Sequence, residues 1–156
     1  MKGLLLFLSK LLPSKPVYAH CDIPCGIYDP YMAQIAAHTV LRMTKLLKDA
    51  EGDTHKITRL TKVKEEHAQT VKHEVVVIWG DYFKEENIKD VPNLHDKVWK
   101  ILKLASKTKQ EVNEQAAQDL LSAVQEFAEI FWKSKGLVPV RIPSGYPTEG
   151  EIVSHK

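Results

Sequence analysis

The chain has few of the features that mark specialised protein classes. Two cysteines in 156 residues cannot build a multi-disulfide scaffold. No apolar run approaches the eighteen residues of a membrane-spanning helix, so no span is expected. The net charge is only +2, and lysines and glutamates are interleaved along the chain. Because a basic tract with interleaved aromatics is also missing, we expect no nucleic-acid partner.

Common catalytic and metal motifs are missing as well. No glutamate is followed three residues later by a histidine, which argues against a di-metal carboxylate centre inside a helical bundle. The sequence also lacks His-Glu-x-x-His, paired Cys-x-x-Cys, a glycine-rich phosphate loop and a serine nucleophile elbow. These absences direct attention to the N-terminal region, where both cysteines lie.

The first nineteen residues, 1–19, form a leader that ends in a small residue, Ala19. Lys2 and the apolar run after it resemble a secretory signal, but Lys10 interrupts that run and residues 13–16 are unusually polar. We interpret the leader as a removable pro-segment and expect a cytoplasmic protein. A secreted or periplasmic location is the alternative.

Cleavage after Ala19 would make His20 the new N-terminus and create a compact donor set. The His20 amine and the Cys21 amide nitrogen would form one chelate ring, the Cys21 thiolate a second, and the Cys25 thiolate would close a square. Square-planar nitrogen and thiolate ligation suits nickel(II) or copper(II), and the His20 imidazole could bind axially. The pattern predicts a redox metal hook. A non-catalytic nickel or copper carrier and a secreted interaction protein with a Cys21–Cys25 disulfide are the alternatives.

The rest of the chain predicts an all-α fold, an antiparallel four-helix bundle with the metal-binding hook at its N-terminal end. Asp29 and Pro30 would start the first helix, and Asp53 or Thr54 the second, which includes the run Val75–Trp79. The stretch Lys84–Pro92 reads as a connection. A shorter third helix follows, Thr108–Glu111 has capping-box spacing for a fourth, and Gly136 ends it.

The expected divisions are leader 1–19, hook 20–28, bundle 29–135 and an extended or disordered tail 136–156, with no hairpin signals. The apolar stripe of the first helix is Met32, Ile35, Ala36, Val40, Met43, Leu46 and Leu47.

Six further histidines have no metal-ligand spacing, and each is expected to have a surface or hydrogen-bonded structural role. They are His38, His55, His67, His73, His95 and His155.

The string from His20 to Pro30, His-Cys-Asp-Ile-Pro-Cys-Gly-Ile-Tyr-Asp-Pro, resembles the N-terminal nickel hook of the nickel-containing superoxide dismutase family. Lys72-His73 and the segment Trp79–Lys84 also look like family segments at the expected spacing. The resemblance covers roughly His20–Lys135.

The resemblance implies one nickel ion per subunit, cleavage by a maturation protease before His20, and assembly as a homohexamer. The ligands would be His20, through its amine and its axial imidazole, Cys21, through its amide and thiolate, and the thiolate of Cys25. The metal would cycle between Ni(II) and Ni(III) while superoxide is converted to oxygen and hydrogen peroxide. Tyr28 would stand over the open face, and Tyr82 would support it from the bundle.

Other positions are implied with finer roles. Asp22 and Pro24 would shape the hook, and Lys84 resembles a family residue near the site. The family commonly orients the axial imidazole with a glutamate and an arginine, whose positions here hold Ala36 and His67. Either another residue, His67 itself or His38, holds the ring, or axial ligation is weaker.

Overall fold

The computed structural model describes residues 26–156, so the leader and the hook ligands His20, Cys21 and Cys25 lie outside the described residues. The helices are α1 (Tyr31–Lys48), α2 (Thr54–Val77), a π-helical turn (Ile78–Tyr82), α3 (Glu85–Asp90), α4 (Leu94–Gln110) and α5 (Glu114–Ser134). Two short strands follow, β1 (Pro139–Pro143) and β2 (Glu151–His155).

The four long helices form the predicted antiparallel bundle. Helix α1 packs against α2 and α5, and α4 packs against the same two helices, so each long helix has two neighbours. Aromatic and aliphatic side chains such as Phe127, Phe131, Leu120 and Ile101 fill the centre and are fully buried. Among the described residues, no helix is long and apolar enough to cross a membrane.

Helix α1 begins where the sequence predicts. The Asp29 carboxylate accepts a hydrogen bond from the Tyr31 N–H at 2.8 Å and so satisfies a donor that has no partner within the helix. The predicted apolar stripe is partly wrong, because Met32 is 53% exposed. The buried face instead includes two polar side chains, Gln34 and His38, which contact an element that the periodicity did not predict.

Helix α2 also follows the prediction and remains helical through Val75–Val77. The Asp53 carboxylate accepts from the Lys56 N–H at 2.9 Å. The helix continues into the π-helical turn, where the Phe83 N–H bonds to the Ile78 carbonyl five residues earlier, at 3.2 Å. This turn ends the helix and places Phe83 in the core.

Two predicted boundaries on the other side of the bundle are wrong. The stretch Lys84–Pro92 contains the short helix α3 and is not simply a connection. Thr108 does not cap a fourth helix, because it is buried inside α4, which runs on to Gln110. The buried ammonium of Lys64 explains the extension: it donates to main-chain carbonyls at the end of α4, those of Thr108 and Glu111 among them.

The next helix, α5, starts later than predicted, at Glu114. The Asn113 side chain accepts from the Ala116 N–H at 3.0 Å and supplies the cap. At the other end the prediction is confirmed: Gly136 has φ +75° and donates to the Lys133 carbonyl at 2.9 Å.

The tail after Gly136 is a β-hairpin. Its strands agree with the extended alternative of the prediction, whereas the expectation of no hairpin is wrong. Strands β1 and β2 pair antiparallel, with Arg141 opposite Val153. The hairpin packs on α1 and α5, and Ile152 and Val153 are buried there. Strands of five residues with prolines at both ends of β1 carry a weak sequence signal. Contacts with the helices, which the local sequence does not show, stabilise them.

Candidate metal centre

The part of the predicted site that the structure describes begins at Gly26, directly after the last predicted ligand. Gly26 and Ile27 are exposed, and the chain then enters the bundle at Tyr28, which is 9% exposed. Gly26 has φ +74°, a backbone conformation that side chains rarely adopt. The hook is therefore joined to α1 through a glycine turn and a buried tyrosine.

The structure brings together the two tyrosines that were singled out. Tyr28 and Tyr82 have ring centroids 5.6 Å apart with planes inclined at 54°. This spacing lies within the range of favourable tilted aromatic contacts. The π-helical turn places Tyr82 there, although the two residues are far apart in sequence. Their roles in the reaction remain predictions.

The Tyr82 hydroxyl is held by a residue that the sequence did not indicate. Its oxygen lies 2.9 Å from Ser134 Oγ, and the Ser134 hydroxyl donates to the Phe131 carbonyl at 2.6 Å. Since the serine proton is committed to that carbonyl, the Tyr82 hydroxyl is the donor in its bond with Ser134. Tyr82 therefore supports Tyr28 through its ring, while its hydroxyl proton points to the end of α5.

A cation lies beside Tyr82, one member of this aromatic pair. Lys135 Nζ is 5.6 Å from the centroid of the Tyr82 ring and 4.8 Å from that of Phe131. Lys84, which the resemblance placed near the site, is exposed. The spacing of four residues between Phe131 and Lys135 was the available signal for the Lys135 contact, because such residues share a helix face.

Neither Ala36 nor His38 is available to orient the His20 imidazole. Ala36 is 1% exposed and belongs to the core. His38 uses both ring nitrogens on the hairpin: Nδ1 lies 2.8 Å from the Thr148 hydroxyl, and Nε2 lies 3.1 Å from the Glu151 carbonyl. His38 thus has a structural role, as expected for a scattered histidine, and has no ring nitrogen left for a second partner.

His67, unlike His38, uses only one ring nitrogen in a hydrogen bond within the described residues. Its Nδ1 lies 2.9 Å from the Val63 carbonyl one turn earlier. A carbonyl can only accept, so Nδ1 donates this bond, and Nε2 is an acceptor whenever it carries no proton. Among the described residues, the second ring nitrogen of His67 has no hydrogen-bond partner, whereas both ring nitrogens of His38 have one.

Burial favours the neutral form of His38. The residue is 3% exposed, and loss of solvation lowers the pKa of His38, while its bond to the Glu151 carbonyl acts in the opposite direction. Because Nε2 must donate to that carbonyl, Nδ1 accepts from the Thr148 hydroxyl. This buried neutral histidine fixes the hairpin on α1.

Within residues 26–156, no group of three or more His, Cys, Asp or Glu side chains is arranged to hold a metal ion. The predicted donors at positions 20–25 remain the candidate set. The amine, the amide nitrogen and the two thiolates would suit the square-planar geometry of nickel(II) or copper(II), and the imidazole would be a fifth donor.

The fold is a helical bundle, and the predicted metal donors directly precede its first helix in sequence, as expected for a metalloprotein with a terminal metal site. The family model for nickel-containing superoxide dismutase matches residues 15–135. The chain is 39% identical over 129 residues to the nickel superoxide dismutase of Streptomyces coelicolor, covering 82% of this chain and 98% of that protein. The relative from Streptomyces seoulensis is 37% identical over the same shares.

Solved structures agree with these relatives. A native structure of nickel superoxide dismutase has a TM-score of 0.71 and 38% identity, over 75% of this chain and 99% of that one. A metal-free structure has a TM-score of 0.68 and 35% identity, over 71% and 99%. The chain belongs to the nickel-containing superoxide dismutase family. The hairpin lies outside the family match.

Proposed function

We propose that this protein disproportionates superoxide at a nickel ion held by His20, Cys21 and Cys25 after the leader 1–19 is removed. Family membership carries the coarser part of this statement: the chain is a superoxide dismutase with nickel as its cofactor. The donor set at the predicted new N-terminus supports the finer part, which is the identity of the nickel ligands and the removal of the leader. A non-catalytic carrier is not favoured, because the curated relatives are dismutases.

The bound nickel would supply one-electron chemistry, accepting an electron from one superoxide and returning it to a second. The balance is two superoxide anions and two protons giving one oxygen and one hydrogen peroxide. The Cys21 and Cys25 thiolates and the Cys21 amide nitrogen are strong donors that would bring the oxidised metal within reach, and the His20 amine and imidazole would complete the ligand set.

Tyr28 would order the anion and water over the open face of the metal without binding it. Its buried ring is supported by Tyr82, which Ser134 in turn holds by a hydrogen bond. The Lys135 ammonium beside Tyr82 would favour the approach of an anion. Peroxide formation requires two protons, and water ordered by the Tyr28 hydroxyl would supply them.

Maturation, assembly and location complete the proposal. A protease would cut between Ala19 and His20, because the terminal amine exists as a ligand only after that cut. We propose a homohexamer, as the resemblance implies, and a cytoplasmic location, because Lys10 and residues 13–16 are unlike a secretory signal. Sedimentation of the processed protein tests the homohexamer, and cell fractionation tests the cytoplasmic location.

The terminal-amine chelate is tested with a chain that starts at His20 and is loaded with nickel. Nickel-dependent dismutation is expected, and it should be lost in Cys21→Ser and in a variant with one extra residue before His20. One extra residue after Lys156 is the matched control and should leave the rate unchanged. Full activity with the extra N-terminal residue would contradict amine ligation. No nickel-dependent activity in the unmodified chain would contradict the proposed function.

A further inference from the structure

A cavity lies between α1 and the loop that joins the two strands of the hairpin. Its volume is about 260 Å³, and its walls are largely apolar, with contributions from Ile35 and Met43 on α1 and from Tyr146 and Pro147 on the loop. The loop residues follow the segment that matches the family, which ends at residue 135. The cavity therefore depends on an element that the family match does not include.

Most polar groups in the cavity wall already have hydrogen-bond partners within the protein. The Thr39 hydroxyl donates to the Ile35 carbonyl at 3.0 Å. Both nitrogens of His38 are used on the hairpin, one of them by the Thr148 hydroxyl. The Tyr146 hydroxyl lies 3.3 Å from that of Tyr31.

Arg42 is the exception in this wall. Its side chain is half-buried and lines the cavity, yet within the part of the chain that the structure describes its guanidinium has no hydrogen bond and no ion pair. A guanidinium carries five N–H donors in a planar fork that fits a carboxylate. An unpaired guanidinium at the wall of an apolar cavity is complementary to a small apolar molecule with a single anionic group.

We propose that this cavity, defined by Arg42, Ile35, Met43 and the loop residues Tyr146–Thr148, binds a small organic carboxylate. The carboxylate pairs with the Arg42 guanidinium, and the apolar body lies against Ile35, Met43 and the face of Tyr146. The volume suits a body of about one six-membered ring, since larger ligands occupy cavities of roughly 300–1,000 Å³. The site involves none of the residues proposed for nickel chemistry, so it stands or fails independently of the proposed function.

Benzoate is the probe, titrated into the 156-residue chain labelled with ¹⁵N. Saturable shifts are expected at the amides of Ile35, Tyr146 and Thr148, with a dissociation constant on the order of 1 mM. Benzamide has the same shape without the charge and should bind at least about tenfold more weakly. Acetate has the charge without the ring and should also bind more weakly, because it buries less apolar surface.

Arg42→Gln is the matched variant, and Arg59→Gln, an exposed arginine on α2 outside the cavity, is its control. Arg42→Gln should weaken benzoate binding about tenfold or more, whereas Arg59→Gln should leave it unchanged. Denaturation midpoints are measured for both variants to confirm that each is folded.

Three outcomes would overturn the site. The first is the absence of saturable shifts below about 20 mM benzoate. The second is equal binding of benzoate and benzamide, or benzoate binding that Arg42→Gln leaves intact. In the third, benzoate does not bind but Arg42→Gln dissociates an oligomer, so that the partner of the guanidinium is a carboxylate of a second copy.

Discussion

The Gln34 side chain pairs with the main chain of Val153 as a neighbouring strand would. Its Nε2 donates to the Val153 carbonyl at 3.0 Å, and its Oε1 accepts from the Val153 N–H at 2.7 Å. Gln34 is fully buried, and Val153 is 2% exposed. One amide of helix α1 thus satisfies two buried main-chain groups at the edge of β2, beside which residues 26–156 place no further strand.

Gln34→Leu is expected to destabilise the protein by about 2–6 kcal/mol. The leucine fills the same space but leaves the Val153 N–H and carbonyl buried and unpaired, at about 1–3 kcal/mol each. The measurement is the free energy of unfolding from chemical denaturation. Gln118→Leu, on the exposed face of α5, is the matched control and should change stability by less than about 0.5 kcal/mol. A Gln34→Leu protein as stable as the wild type would show that the hairpin contributes little.

The bundle could be predicted from the sequence because its information is local. Apolar periodicity, the Asp53 cap and the Gly136 stop each act within a few residues of the boundary that they set. The hairpin could not be predicted, because the groups that fix it, Gln34 and His38, lie more than a hundred residues away in sequence. The one sequence signal for the hairpin was the presence of the polar residues Gln34 and His38 on the buried face of α1. The apolar pattern of that helix obscured this signal.

The distinction between local and distant sequence information also applies to the candidate metal site. The donors His20, Cys21 and Cys25 lie on one short stretch, so sequence alone could single them out. The contact between Tyr28 and Tyr82 was expected only from the resemblance. The hydrogen bond from Tyr82 to Ser134 depends on how the π-helical turn meets the end of α5, and no local pattern encodes that meeting.

His38 predicts a pH dependence of stability. Burial lowers its pKa in the folded state below the ordinary value of 6.5, so on acidification the unfolded chain takes up this proton first. Stability contributed by the neutral ring is therefore full above pH 6.5 and falls as the pH drops below it, levelling off once the folded protein also binds the proton. Denaturation midpoints measured between pH 5 and 8 should show this slope.

His38→Gln should flatten that slope, at the cost of some stability at every pH, because the amide cannot reproduce both ring contacts. His55→Gln alters an exposed histidine on α2 and is the matched control, which should retain the wild-type slope. If the slope below pH 6.5 were the same in His38→Gln as in the wild type, another group would be responsible.

Tyr82 and Ser134 are expected to act as a single unit. Tyr82→Phe removes their shared hydrogen bond and should cost about 0.5–1.5 kcal/mol of stability, whereas Ser134→Ala also removes the bond to the Phe131 carbonyl and should cost more. The double variant should cost little more than the larger single effect, because the interaction can be lost only once. Unfolding free energies of the four proteins form the cycle. Full additivity would mean that the two hydroxyls are not coupled.

The last prediction concerns the axial imidazole. Family spacing puts His67 where an arginine is common, and since its Nδ1 donates to the Val63 carbonyl, Nε2 is an acceptor whenever it carries no proton. In the nickel-loaded protein we expect His67 Nε2 to accept from the His20 ring N–H and fix its orientation. His67→Phe should then alter the axial nitrogen hyperfine splitting in the Ni(III) electron paramagnetic resonance spectrum and lower dismutation by about 10–100-fold. His73→Phe, exposed on the same helix, should leave the spectrum unchanged. An unaltered spectrum in His67→Phe would mean that His67 does not hold the ring, whatever its effect on stability.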